Sequence, residues 1–74
     1  MREKIKQVIG DTFELTDVPD DISPQTCDKW DSLHHLQLIV ALEMEFGVSF
    51  EPEDITEMLS LDEIKNKITS LLDE

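Results

Sequence analysis

The sequence predicts an all-α fold, a four-helix bundle with three longer helices, one short helix and a long loop between helices 1 and 2. Apolar residues recur at helical spacing in three separate segments. Residues typical of helix starts and stops flank these segments, and none shows the alternating pattern of a half-buried strand. With 74 residues, the chain is expected to form a single domain over 1–74.

The first helix is predicted over about residues 2–14. Its apolar positions advance by three or four residues, so that they share one face of an amphipathic helix. These positions are Ile5, Val8, Ile9, Thr12 and Phe13.

A connection from Leu15 to Trp30 follows, in which proline, aspartate and serine interrupt the helical pattern. A connection of about sixteen residues is unusual in so small a domain, and loops of this length usually have a function. We expect Val18, Ile22 and Trp30 to attach it to the core.

The central helix is predicted over Ser32–Phe46, a segment without proline or glycine. Asp31 suits its N-cap, and Gly47 suits the position just after its end. Two apolar stripes lie on opposite sides of this helix, since residues advance by about 100° each. The first stripe is Leu38, Ile39, Leu42 and Phe46, and the second is Leu33, Val40 and Met44.

A single core needs only one of these stripes. The second stripe therefore either packs under the long connection or forms a partly exposed contact surface. For Leu33 the two alternatives remain open, whereas exposure is favoured for Val40 and Met44.

Two helices are predicted in the last third of the chain. Pro52–Leu59 forms a brief third helix, with proline in its first turn and acids that suit the helix dipole. Ser60 and Glu63 form a capping box that opens a last helix, which extends to about residue 72. Its apolar face comprises Leu61, Ile64, Ile68, Leu71 and Leu72.

The net charge of −12 is unevenly distributed, because no lysine or arginine occurs from Trp30 to Ile64. One side of the molecule is therefore predicted to be strongly acidic, which disfavours nucleic acid and anionic membranes and attracts basic protein surfaces. Charge that serves solubility alone gives the same pattern. No apolar run is long enough to span a membrane, and the single cysteine, Cys27, excludes an internal disulfide framework. A cytoplasmic protein is expected.

Ser32 lies where the first turn of the central helix has N–H groups without intrahelical partners. Because the helix dipole is positive there, a phosphate esterified to the Ser32 hydroxyl would be stabilised. His34 and His35 are adjacent, so their side chains point about 100° apart and are poorly placed to bind one metal ion. His35 is interpreted as a partly covered structural residue, and no catalytic or metal-ligating set is predicted.

The segment Trp30-Asp31-Ser32-Leu33, followed by the run from Leu38 to Val48, resembles the acyl carrier proteins and peptidyl carrier domains. The resemblance covers nearly the whole chain. It implies a fold of acyl-carrier-protein type and a carrier that is not itself an enzyme.

The resemblance further implies that Ser32 carries covalent 4′-phosphopantetheine, transferred from coenzyme A with magnesium by a holo-synthase (phosphopantetheinyl transferase). Asp31 would help to hold the magnesium in addition to capping the helix. Expected partners are this holo-synthase, an acyl- or aminoacyl-loading ligase and downstream acyl-processing enzymes with basic docking patches. Their binding surface would comprise Leu33, Val40, Glu43, Met44 and Glu45, and the carrier would act as a monomer.

Three positions depart from the carriers of fatty acid synthesis. His34 replaces a usual acid, Gln37 replaces a common glutamate, and Met44 interrupts a glutamate triplet. A specialised lipid, polyketide or related pathway is therefore predicted. The alternative is an unmodified acidic adaptor that binds a basic protein, and a third hypothesis is a small metal-dependent enzyme built on His34, His35 and nearby acids.

Overall fold

The computed structural model describes residues 2–72, and within this range the chain forms four helices and no strand. They are α1 (Arg2–Phe13), α2 (Ser32–Phe46), α3 (Pro52–Glu57) and α4 (Leu61–Leu72). The predicted all-α fold with three longer helices, one short helix and a long connection before α2 is confirmed.

Helix α1 buries the apolar face that its spacing predicts, with Ile5, Val8, Ile9 and Phe13 in the core. The helix ends at Phe13, one residue before the predicted end, because Glu14 adopts a left-handed conformation with φ of 58°. The N–H of Leu15 then donates to the carbonyl of Gly10 at 2.9 Å and closes the helix end.

The connection between α1 and α2 is attached to the core by three buried side chains, Ile22, Cys27 and Trp30. The Trp30 ring packs on Phe13 with 5.5 Å between ring centroids, and Val18 packs against the core from a half-buried position. The predicted attachment through Val18, Ile22 and Trp30 is thus confirmed. Cys27 is a free, buried thiol.

Helix α2 has the predicted ends. Oδ1 of Asp31 accepts the backbone N–H of His34 at 2.9 Å, which makes Asp31 the N-cap. Gly47 takes the left-handed conformation with φ of 66°, and its N–H donates to the carbonyl of Glu43 at 2.9 Å. The core-facing stripe is buried at Leu38, Ile39 and Leu42 and half-buried at Phe46.

Helix α3 ends at Glu57, so the predicted end at Leu59 is wrong by two residues. The chain leaves the helix because Met58 turns its side chain into the core, where it is 1% exposed. Asp54 anchors the start of α3, since Oδ2 of Asp54 accepts the N–H of Glu51 at 3.0 Å. No side chain within α3 itself is buried.

Helix α4 begins after Ser60, whose Oγ accepts the N–H of Glu63 at 3.2 Å. Of the predicted apolar face, Leu61, Ile64 and Ile68 are buried, Leu71 is half-buried and Leu72 is 48% exposed. Leu72 lies one turn beyond Ile68, and the core ends before it.

The core is built mainly where α1 packs against α2 and α4. None of the helices formed by residues 2–72 is both long and apolar enough to cross a membrane. The buried apolar side chains are Ile5, Val8, Ile9, Phe13, Ile22, Cys27, Trp30, Leu38, Ile39, Leu42, Met58, Leu61, Ile64 and Ile68.

Candidate functional site

Ser32 is the first residue of α2, and its side chain is exposed. The first backbone hydrogen bond of the helix is donated by His35 to the carbonyl of Asp31, at 2.8 Å. The N–H groups of Ser32 and Leu33 therefore precede the hydrogen-bonded ladder and lie at the positive end of the helix dipole. An anion attached to the Ser32 hydroxyl would lie in a favourable electrostatic environment.

Asp31 places a carboxylate directly beside Ser32. Its Oδ1 accepts the backbone N–H of His34 at 2.9 Å and also the ring Nδ1–H of His34 at 2.9 Å. The backbone hydrogen bond and then the ring hydrogen bond hold the pKa of the Asp31 carboxyl below its usual value of 3.8. Asp31 is consequently charged at neutral pH while 58% of its side chain remains exposed.

An open groove of about 390 Å³ lies against Ser32. Its walls come from the connection before α2, from the start of α2 and from the short link before α4. The lining residues are Pro24, Gln25, Trp30, Asp31, Ser32, His35 and Leu59. Ser32 therefore borders a groove with a mixed polar and apolar lining.

His35 connects three parts of the chain beside this groove. Its Nδ1 accepts the indole N–H of Trp30 at 3.0 Å, and its Nε2–H donates to the carbonyl of Ile55 at 2.7 Å. The imidazole also stacks on the Trp30 ring, with 6.1 Å between centroids. The interpretation of His35 as a partly covered structural histidine is confirmed.

The second apolar stripe of α2 faces outward. Leu33 is 63% exposed, Val40 54% and Met44 80%, which confirms the expected exposure of Val40 and Met44 and decides the open question for Leu33. Leu36, 55% exposed, belongs to the same strip, although the sequence prediction does not include it. Its spacing of three residues from Leu33 and four from Val40 was the available signal. We call Leu33, Leu36, Val40 and Met44 the α2 strip.

The two glutamates predicted to bind partners have intramolecular contacts. Oε2 of Glu43 accepts the backbone N–H of Phe50 at 2.9 Å, and Glu45 pairs with Lys4 of α1 at 3.2 Å. Glu43 thus supports the link that follows α2, whereas Glu45 borders the α2 strip with part of its charge offset by Lys4. A basic partner would meet Glu45 in competition with Lys4.

Acidic residues between positions 30 and 64 form ion pairs with basic side chains of α1 and α4. Arg2 pairs with Asp62 at 3.3 Å, and Lys67 pairs with Asp54 at 2.8 Å. The hydrogen bond from Lys67 and then that from the N–H of Glu51 lower the pKa of Asp54 from its usual value of 3.8. These contacts attach α3 to α4 and the start of α4 to α1.

The histidines of α2 are directed away from each other, as their adjacent positions predict. His34 contacts Asp31 and packs edge-on against Phe13, whereas His35 faces Trp30 and Ile55. Within residues 2–72, no group of three or more histidine, cysteine, aspartate or glutamate side chains is arranged to hold a metal ion.

A scan of the chain against known protein-family models finds no match, and a search among curated proteins finds no significant relative.

Proposed function

We propose that this chain is a carrier protein that holds 4′-phosphopantetheine covalently on Ser32 and carries an acyl or aminoacyl group on it. The observation that carries the proposal is the position of Ser32: an exposed hydroxyl at the first residue of a fifteen-residue helix, beside the charged Asp31. The resemblance of residues 30–48 to carrier domains supplies the identity of the group.

The residues around Ser32 fit such a group. The N–H groups of the first turn favour a phosphodiester on the hydroxyl, and the helix dipole acts in the same direction. The adjoining groove of about 390 Å³ offers the apolar surfaces of Pro24 and Leu59 and the amide of Gln25 to a chain that contains both amides and methyl groups.

Attachment is a phosphoryl transfer onto this chain. The Oγ of Ser32 forms a bond to the phosphorus next to pantetheine, the pyrophosphate bond of coenzyme A breaks, and adenosine 3′,5′-bisphosphate leaves as the serine proton is lost. Asp31, held in place by His34, is the carboxylate of this chain that can help to hold the magnesium of the transferase. When bound, the group supplies a terminal thiol that holds cargo as a thioester.

The α2 strip begins beside Ser32 and runs along the same helix, so an enzyme that contacts the strip would also reach the attachment site. We propose that this strip, with Glu45 at its border, binds the holo-synthase, a loading ligase and downstream acyl-processing enzymes. Basic patches on those enzymes would be attracted by the acidic segment and steered by it. Glu43 would contribute to partner binding indirectly, because its hydrogen bond with the backbone of Phe50 supports the link between α2 and α3.

The departures at His34, Gln37 and Met44 support a carrier for a specialised pathway, and we place this carrier in the cytoplasm as a monomer. His34 uses its ring to fix Asp31 rather than offering a negative charge to a partner. Recognition at this end of α2 therefore depends more on Leu33 and Leu36 than on acidic residues.

The test is the intact mass of the purified chain after incubation with coenzyme A, magnesium and a broad-specificity phosphopantetheinyl transferase. The wild type is expected to gain the mass of one phosphopantetheine group, and Ser32→Ala is expected to gain none while it remains folded. Ser49→Ala, which removes an exposed hydroxyl from a loop, is the matched control and should be modified like the wild type. Modification of Ser32→Ala would contradict the proposed site.

The alternative is an unmodified acidic adaptor, favoured by the exposure of the α2 strip and of acids such as Glu53 and Glu57. An adaptor needs no group on Ser32. A wild-type chain that gains no mass, yet binds a basic protein through the α2 strip, would support the adaptor and overturn the carrier.

A further inference from the structure

We propose that His35 is a positioning residue for the modification of Ser32, because its imidazole joins the segment before Ser32 to α3 across the groove. This inference rests on the proposed carrier function. The hydrogen bonds of the His35 ring go to Trp30 and Ile55, so its role acts through these two residues.

The two hydrogen bonds of His35 fix one tautomer. The indole N–H of Trp30 can only donate, so Nδ1 of His35 accepts and carries no hydrogen. The carbonyl of Ile55 can only accept, so Nε2 of His35 carries the hydrogen. The ring is therefore neutral and oriented, and it uses both of its nitrogens in a half-buried position.

The bond to Trp30 acts on the backbone next to Ser32. Trp30 is 4% exposed and lies between the Phe13 ring and the imidazole, so its indole holds the last residues of the connection against α2. Trp30 is followed at once by the capping Asp31 and then by Ser32. Loss of the imidazole acceptor would leave the indole N–H without its partner and free the segment that sets the entry into α2.

The bond to Ile55 acts on the other side of the groove. Helix α3 has six residues and none of them is fully buried. Ile55 packs half-buried against the core, and the rest of the support for α3 comes from polar contacts. Among these, the His35 bond is the one that reaches α3 from the helix that bears Ser32. Leu59, just beyond α3, forms part of the groove wall, so a displaced α3 would alter the surface beside the hydroxyl.

Glutamine can replace the pair of bonds because its amide carries a donor and an acceptor at a separation similar to that of the two ring nitrogens. Leucine fills a similar volume but can make neither bond. His35→Gln is therefore the rescue variant and His35→Leu the loss variant. Trp30→Phe removes the indole donor, together with part of the buried ring that packs on Phe13, and leaves the bond to Ile55 in place.

The experiment measures modification rates at a temperature at which circular dichroism shows every variant folded, using coenzyme A and the same transferase. We expect kcat/KM for His35→Leu to fall about ten-fold, because two hydrogen bonds that organise the surface recognised by the transferase are lost. The fall should come mainly from a higher KM. His35→Gln should recover most of this loss, and Trp30→Phe should lie between the wild type and His35→Leu.

A second readout does not depend on modification. In long-range ¹H–¹⁵N NMR spectra of the wild type, His35 should show an unprotonated Nδ1 and a protonated Nε2, and the indole N–H of Trp30 should move upfield in His35→Leu. Equal rates for the wild type and His35→Leu, a failure of glutamine to rescue, or the opposite tautomer would overturn the positioning role. A wild type that is not modified at all would instead overturn the proposed function, and this inference with it.

Discussion

Asp31 serves the start of α2 in two separable ways, as a cap and as a charge. Its Oδ1 accepts the N–H of His34, which any good capping side chain can do, but a carboxylate also brings the negative charge that favours a magnesium ion. Asparagine caps helices about as well as aspartate, whereas alanine does not.

We therefore predict that Asp31→Asn melts within a few degrees of the wild type but is modified at least ten-fold more slowly. Asp31→Ala should show the same slow modification together with a clear fall in Tm, because the cap is lost. Thermal melts and modification rates measured on both variants check this. Equal modification rates for the wild type and Asp31→Asn would show that Asp31 acts only as a helix cap and not in magnesium binding.

Capping is a local property of the chain, so the sequence alone places Ser32 at the first position of α2 and Asp31 at its N-cap, whereas it leaves the exposure of Leu33 open. It did not identify the bridge from Trp30 through His35 to Ile55, since that contact joins residues as much as 20 positions apart and depends on where α3 packs. The contacts of Glu43 with Phe50 and of Glu45 with Lys4 are not predicted either, because these residues meet only in the folded chain.

Among the elements, α3 is the one whose stability depends most on polar contacts. It has six residues, contributes no buried side chain, and is held at Asp54 by Lys67 and by the N–H of Glu51. Local opening is easiest where few apolar contacts must be broken. Helix α3 should therefore open more readily than α1, α2 or α4.

The sign of the pH dependence follows from the lowered pKa of Asp54. Its contribution to stability is fully present above the usual carboxyl pKa of 3.8, where an unfolded chain is also ionised. It disappears as the pH falls below 3.8 and through the still lower pKa of the folded state, because Asp54 must then take up a proton.

We predict that Asp54→Asn lowers the free energy of unfolding at pH 7 and that the difference from the wild type shrinks below about pH 3.8. Urea unfolding at both pH values measures this, with Glu53→Gln as the control because it removes an equal charge from the same helix. Amide exchange in α3 should accelerate in Asp54→Asn. A pH-independent difference would show that the ion pair with Lys67 is not its cause.

The helix boundaries show which structural features are readable from local sequence. The ends of α2 match the prediction because Asp31 and Gly47 specify them chemically. The end of α3 does not match, since Met58 leaves the helical path to fill a core position that no local pattern indicates. Leu72 fits the apolar period of α4 but extends beyond the core it would need.

The whole molecule carries eighteen acidic residues against six basic ones. Four of the basic residues already pair with acids across the fold, as Arg2 does with Asp62 and Lys4 with Glu45, and exposed pairs of this kind contribute at most about 1 kcal/mol each. Repulsion among the remaining acids acts on the compact state more than on the unfolded chain. Added salt weakens both the attraction within the ion pairs and the repulsion among the acids, and the repulsion involves more charges.

We therefore predict that raising sodium chloride from 10 mM to 0.5 M increases Tm by about 5 °C or more, since the Debye length then falls to a few ångströms. Chloride is preferable to sulfate, because sulfate stabilises proteins by exclusion from their surface. The same salt should slow association with a basic partner. A Tm that falls with added sodium chloride would mean that the ion pairs outweigh the repulsion.

The central claim, that Ser32 is the attachment residue, can be tested directly by peptide mapping. Because lysine and arginine are absent from residue 30 to residue 64, trypsin releases Ser32, Ser49 and Ser60 in one peptide, 30–65, after cleavage at Lys29 and Lys65. Fragmentation of that peptide from the modified wild-type chain should place a single phosphopantetheine group on Ser32. A group on Ser49 or Ser60, or an unmodified peptide after exposure to an active transferase, would contradict the account.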